Sequence, residues 1–149
     1  MNDHFYVCPS EIVQRFNIDV IEDNSLEPSC YGYCKIEEDG RGVIAYNPTL
    51  SELQKRFSIA HMIGHFLLGH FTSENKKKFV ETHENFDEFA PIMEDEANRF
   101  ALKILIPRDK LEFLIFKKGI ASPKEMARIL KVSEIGLVHM LKEYGYLEK

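Results

Sequence analysis

Apolar positions along this chain first fall in short strand-like runs and then in long helical stripes. Ser10, with Glu11 in the first turn, predicts a short helix reaching Phe16. Ile18, Val20 and Ile21 predict a first strand, and Asn24 and Pro28 mark the loop after it. Residues 31–36 and 43–46 predict two further strands joined by Glu38-Asp39-Gly40-Arg41-Gly42, a connection whose two glycines favour an antiparallel hairpin. Asn47-Pro48 ends the second of these. Ser51 is the expected N-cap of a long helix whose stripe is Leu53, Phe57, Ala60, Ile63, Gly64, Leu67 and Leu68, with Gly69 ending it.

Residues 72–90 are polar, with lysines 76–78 set against Glu81, Glu84, Asp87 and Glu88. They predict a solvated loop, or more sharply a flap over a cleft. Pro91 opens a second long helix over 92–106, stopped by Pro107, and a shorter apolar helix covers 109–116. Ser122-Pro123-Lys124-Glu125 is a capping box for a helix to Leu130. Ser133 caps a last helix that Gly145 closes. Strands first and helices afterwards make the fold class α+β.

With 149 residues, 44% of them hydrophobic, the chain can bury one good core. No run of about 18 apolar residues supports a membrane span, and residues 1–10 lack a secretion-signal pattern, so the expected location is cytoplasmic. A net charge of −5 argues against a broad electrostatic footprint for nucleic acid. Cys8, Cys30 and Cys34 are read as reduced thiols, the Cys30-x-x-x-Cys34 spacing being a weak metal signal.

The chemistry lies in His61-Met62-Ile63-Gly64-His65. Two histidines four apart on a helix share a face and can bind one tetrahedral zinc. In H-E-x-x-H the glutamate is the general base; here Met62 holds that position, so the ligands are present and the base is not. A third ligand is sought on the second long helix, where Glu94, Ala97, Asn98 and Ala101 share a face. The small alanines allow close approach, as Gly64 would beside His65. Glu94 can then reach the metal while Asn98 accepts a hydrogen bond from a ligand imidazole, with Glu96 as the reserve ligand. His70 is expected to cap the helix or support a ligand. His4, His83 and His139 are read as ordinary surface or half-buried residues, and Phe57, Phe66 and Phe100 as core.

The block Arg56-Phe57-Ser58-Ile59-Ala60-His61-Met62-Ile63-Gly64-His65-Phe66-Leu67-Leu68-Gly69-His70 resembles the R-F-x-I-A-H-E-L-G-H-x-L-L-x-H block of the ImmA/IrrE zinc metallopeptidases. Glu94-x-x-Ala97-Asn98-x-Phe100-Ala101, followed by Leu105-Ile106-Pro107, is similar to that family's second block. The resemblance implies a zincin-like fold, with a small antiparallel or mixed sheet packed on the metal-binding helix and a C-terminal helical pair. It implies residues 1–118 as the metallopeptidase domain and 119–149 as a helix-turn-helix-like pair packed on it. It further implies His61, His65 and Glu94 as zinc ligands and a cytoplasmic protein, of a kind often encoded with mobile elements, that relieves a helix-turn-helix repressor.

The departure at Met62 bears on the chemistry. A thioether cannot carry a proton between water and a leaving amine, and losing a general base costs about 10²- to 10⁴-fold in rate. The expectation is therefore a zinc-binding pseudoenzyme that acts as an anti-repressor by direct binding. The alternative is an active zinc endopeptidase using an unusual base, either Asp95 or a carboxylate from 81–88. Met62→Glu should fit the helix and restore cleavage. Residues 43–46 are the expected edge strand for an extended peptide. The tail offers Glu134, Ile135, Gly136 and Leu137 where a DNA reader needs Arg, Lys, Asn or Gln, so no specific DNA binding is expected.

Overall fold

The computed structural model describes residues 5–71, 78–82 and 91–148. The chain divides into two compact units, Cys8–Ala101 and Met1–Val7 with Leu102–Lys149.

The first unit opens with helix α1 (Pro9–Ile12) and a 3-10 turn over Val13–Arg15. Cys8 occupies the N-cap of α1 and Pro9 its first turn, so Ser10 lies inside the helix it was expected to cap. Strands β1 (Ile18–Glu22), β2 (Cys30–Ile36), β3 (Gly42–Tyr46) and β4 (Lys78–Thr82) form one mixed sheet in the order β1-β3-β2-β4. The predicted hairpin is β2–β3, antiparallel, closed by the Glu37 N–H donating to the Arg41 carbonyl at 2.8 Å, with Gly40 at φ +89°. β1 pairs with β3 in parallel.

Two sequence expectations fail in this sheet. Residues 43–46 are not an edge, because β3 pairs on both sides and its residues 42–45 are buried. Residues 72–90 are not all loop, because Lys78–Thr82 is strand β4, which pairs antiparallel with β2.

Helix α2 (Glu52–Leu67) begins at a full capping box, in which Ser51 Oγ accepts the Gln54 N–H and the Gln54 side chain accepts the Ser51 N–H. Its middle is buried all round from Ser58 to His65, while Leu53, Leu67 and Leu68 at its ends are exposed. The predicted stripe is thus too broad at the ends and too narrow in the middle. Cys34 sits opposite Ile44 on one side and Phe79 on the other. These three join Val13, Ile59, Met62 and Ile63 in the core, with Phe66 and Phe100 packed against it. Helix α3 (Ile92–Leu105) takes its first helical bond from the Asp95 N–H to the Pro91 carbonyl, 2.9 Å.

In the second unit, α4 (Arg108–Glu112) runs into a π-helical turn over Phe113–Lys117. Helices α5 (Pro123–Leu130) and α6 (Glu134–Glu143) follow. Ser122 caps α5 through the Glu125 N–H, but the Glu125 side chain pairs with Arg128 instead of closing a box. Ser133 caps α6 and Gly145, at φ +87°, ends it. Met126, Leu130, Leu137, Met140 and Leu141 are buried. Among the described residues no helix is long and apolar enough to cross a membrane.

Candidate metal centre

His61 and His65 occupy successive turns of α2 and are fully buried, with their Nε2 atoms 3.2 Å apart. Glu94, in the first turn of α3, places Oε1 2.8 Å from His61 Nε2 and 3.0 Å from His65 Nε2. Gly64 permits the approach of α3. A Cβ at that position would stand 3.1 Å from Phe100 Cδ1 and 3.2 Å from Ala97 Cα, so glycine, Ala97 and Ala101 keep the backbones close, as expected.

Glu81, which the sequence offered only among the 81–88 carboxylates as a substitute base, joins the site as a further converging side chain. It lies on β4 two positions beyond Phe79, hence on the same buried face of the strand. Its Oε2 is 2.8 Å from His61 Nε2 and 3.5 Å from His65 Nε2. His61, His65, Glu81 and Glu94 each offer one ligand atom, and these atoms all lie within 4.8 Å of one another. Such a set could hold a metal ion.

The outer hydrogen bonds orient both imidazoles. Asn98 Oδ1 accepts from His61 Nδ1 at 2.6 Å, leaving Nε2 as the free base. Gly69, at φ +73°, ends α2 with a turn in which the Gly69 N–H donates to the Phe66 carbonyl and the His70 N–H to the His65 carbonyl. This turn folds His70 back until its Nδ1 is 2.8 Å from His65 Nδ1, while its Nε2 donates to Glu96 Oε1 at 2.9 Å. With the proton on His70 Nε2, its Nδ1 accepts from His65, and His65 Nε2 is also the free base. Glu96 therefore supports His70 and is absent from the converging set, and His70 supports His65 rather than capping alone. Phe79, itself part of the core, stacks on the His65 ring with centroids 4.0 Å apart.

Two free-base nitrogens 3.2 Å apart, each faced by two carboxylates, make a ligand set with no hydrogen on its imidazole side. A cation resolves that arrangement; without one, protons must. Burial pulls the His61 pKa down, but the Glu81 and Glu94 carboxylates outweigh it and lift His61 to about 9. His65 is raised for the same reasons, and the imidazoles hold Glu81 well below the usual carboxylate range despite its burial. Burial, reinforced by Glu81 and Glu94, pushes the Cys34 thiol well above its ordinary value, which keeps it protonated.

Met62 is fully buried in the apolar cluster with Cys34, Ile44 and Phe79. Asp95 pairs with Arg99 at 2.9 Å on the exposed side of α3 and is not part of the site. His139 is an exposed partner of Glu143. His4, His83, Glu84, Asp87 and Glu88 lie outside the described residues.

The family described as the IrrE N-terminal-like domain, Peptidase M78, matches residues 13–142. Among solved structures, the chain is similar to a Mycobacterium tuberculosis transcriptional regulator, with a TM-score of 0.62 at 18% identity. That likeness covers 90% of this chain and 40% of the other, so the chain spans about two fifths of that protein's length. Curated proteins gave no match. The α+β layout, a small mixed sheet against the histidine-bearing helix, is that of a zincin-like metallopeptidase fold. A family match over nearly the whole chain, joined to that layout, identifies this protein as a member of the IrrE N-terminal-like metallopeptidase family M78.

Proposed function

We propose that this chain binds one zinc ion through His61, His65 and Glu94, with Asn98 orienting His61. It regulates a helix-turn-helix repressor by direct binding, with hydrolysis impaired. The observation that carries this reading is a buried, pre-oriented ligand set in a metallopeptidase fold whose general-base position is Met62. His61 and His65 on α2 and Glu94 on α3 would hold the ion, which would supply a Lewis acid there. The chain's own residues hold two imidazoles as free bases and shield them from water. No group at position 62 can accept or return a proton. The solved relative is named a transcriptional regulator, which supports a regulatory role in the same fold. In this reading the protein is cytoplasmic and acts as an anti-repressor, of the kind carried by mobile elements. It does not bind specific DNA, since α6 opens with Glu134.

One observation favours the second reading, an active endopeptidase with an unusual base: Glu81 brings a carboxylate into the site from β4. Co-incubation with a cognate helix-turn-helix repressor, with and without chelator, separates the two. Direct binding predicts a complex with intact repressor. Chelator-sensitive fragments would establish the peptidase.

A further inference from the structure

We infer that Glu81 is a fourth protein ligand, so that the metal site of this chain is closed and has no position for a substrate carbonyl. The inference deepens the zinc reading above and rests on it. The two carboxylates are placed alike: Glu94 Oε1 lies 2.8 and 3.0 Å from the two Nε2 atoms, and Glu81 Oε2 lies 2.8 and 3.5 Å from the same pair. Ligand atoms around a tetrahedral zinc stand roughly 3.3 Å apart, close to the distance of each carboxylate from the two Nε2 atoms, and all four ligand atoms lie within 4.8 Å of one another. A general base must instead reach the reacting water while standing off the metal. Glu81 is no farther from His61 than Glu94 is.

Burial and charge point the same way. Glu81 is fully buried on the Phe79 face of β4, where an ionised carboxylate needs a counter-charge. Two carboxylates and two neutral imidazoles carry two negative charges, which one divalent zinc balances. Three protein ligands leave a catalytic zinc open; four make a structural one. Hydrolysis is then blocked by a filled coordination shell as well as by Met62. The ion ties β4, an edge strand, to α2 and α3.

Cobalt(II) substitution of the 149-residue chain tests this, with thiocyanate as the probe of an open position. In the parent chain the visible spectrum is expected to be four-coordinate and unchanged by thiocyanate. In Glu81→Ala, thiocyanate should shift it. Glu81→Gln keeps the side-chain shape and guards against misfolding. It is expected to lose at least about 100-fold in zinc affinity by chelator competition, the upper end of what losing an outer hydrogen bond costs. A parent spectrum that shifts with thiocyanate overturns the fourth ligand and leaves the His61, His65 and Glu94 site standing. A parent chain that takes up neither cobalt nor zinc overturns that site as well.

Discussion

Glu81 Oε2 stands 2.8 Å from His61 Nε2 across twenty residues of sequence, and both side chains are fully buried. A carboxylate from the edge of the sheet thus meets a histidine from the middle of α2. The behaviour of the protein follows from what occupies the space they share.

The first expectation concerns pH. His61 is raised from 6.5 to about 9 in the folded chain, so its contribution to stability is fully present below pH 6.5 and is lost as pH rises towards 9. Glu81 is lowered, so its contribution is present above about pH 4.5 and is lost at more acid pH. Chelator-treated protein should therefore have its highest melting temperature between about pH 4.5 and 6.5. Zinc affinity should run the other way and strengthen between pH 6.5 and 9, because binding releases those protons. Thermal melts of metal-free protein that are flat from pH 6.5 to 9 would contradict the account.

Asn98→Ala removes the acceptor that fixes His61, and His70→Ala removes the partner of His65. Each should weaken zinc binding by about 10- to 100-fold, read by chelator competition, with secondary structure retained. Glu96→Ala, at the exposed end of the chain of hydrogen bonds, should cost less. Unchanged affinity in Asn98→Ala would mean that His61 is oriented by something else.

How much of this was legible in the sequence differs from residue to residue. The pairs His61 with His65 and Glu94 with Asn98 were legible because i+4 spacing fixes a shared face without tertiary information, whereas the joining of the two faces rested on the family resemblance. Gly69 was legible as a helix end from glycine's backbone freedom alone. β4 was not legible, because Lys78-Phe79-Val80-Glu81-Thr82 lies among lysines and acids and buries a glutamate where alternation calls for an apolar residue. The usable signal was the i+2 pairing of Phe79 with Glu81, together with the acid missing at position 62. The interior place of β3 could have been read from its unbroken apolar run Val43-Ile44-Ala45, since an edge strand facing water on one side alternates.

Met62→Glu acquires a condition from the structure. The new carboxylate enters the apolar cluster of Cys34, Ile44 and Phe79 while Glu81 still occupies the site. An uncompensated buried charge costs about 3–5 kcal/mol, so the single variant should melt lower and should not cleave. Met62→Glu combined with Glu81→Ala both supplies the base and opens a coordination position, and it is the variant expected to gain zinc-dependent hydrolysis. Cleavage by the single variant at the level of the double one would show that Glu81 does not block the site.

Gly64→Ala tests the close approach of α2 and α3. Alanine gains about 1 kcal/mol of helix propensity, but overpacking against Phe100 and the Ala97 backbone costs about 1–3 kcal/mol. The net effect should be a modest loss of stability together with weaker zinc binding, since Glu94 is carried on α3. A stabilised variant with undiminished zinc affinity would show that the helices have room to spare.

The central claim is one zinc ion bound by His61, His65 and carboxylate oxygen, and zinc-edge X-ray absorption of the loaded chain addresses it most directly. The predicted result is one zinc per chain, with two imidazole nitrogens and two oxygens as nearest neighbours and no sulfur. A spectrum with sulfur neighbours, or with no imidazole scattering, would contradict it.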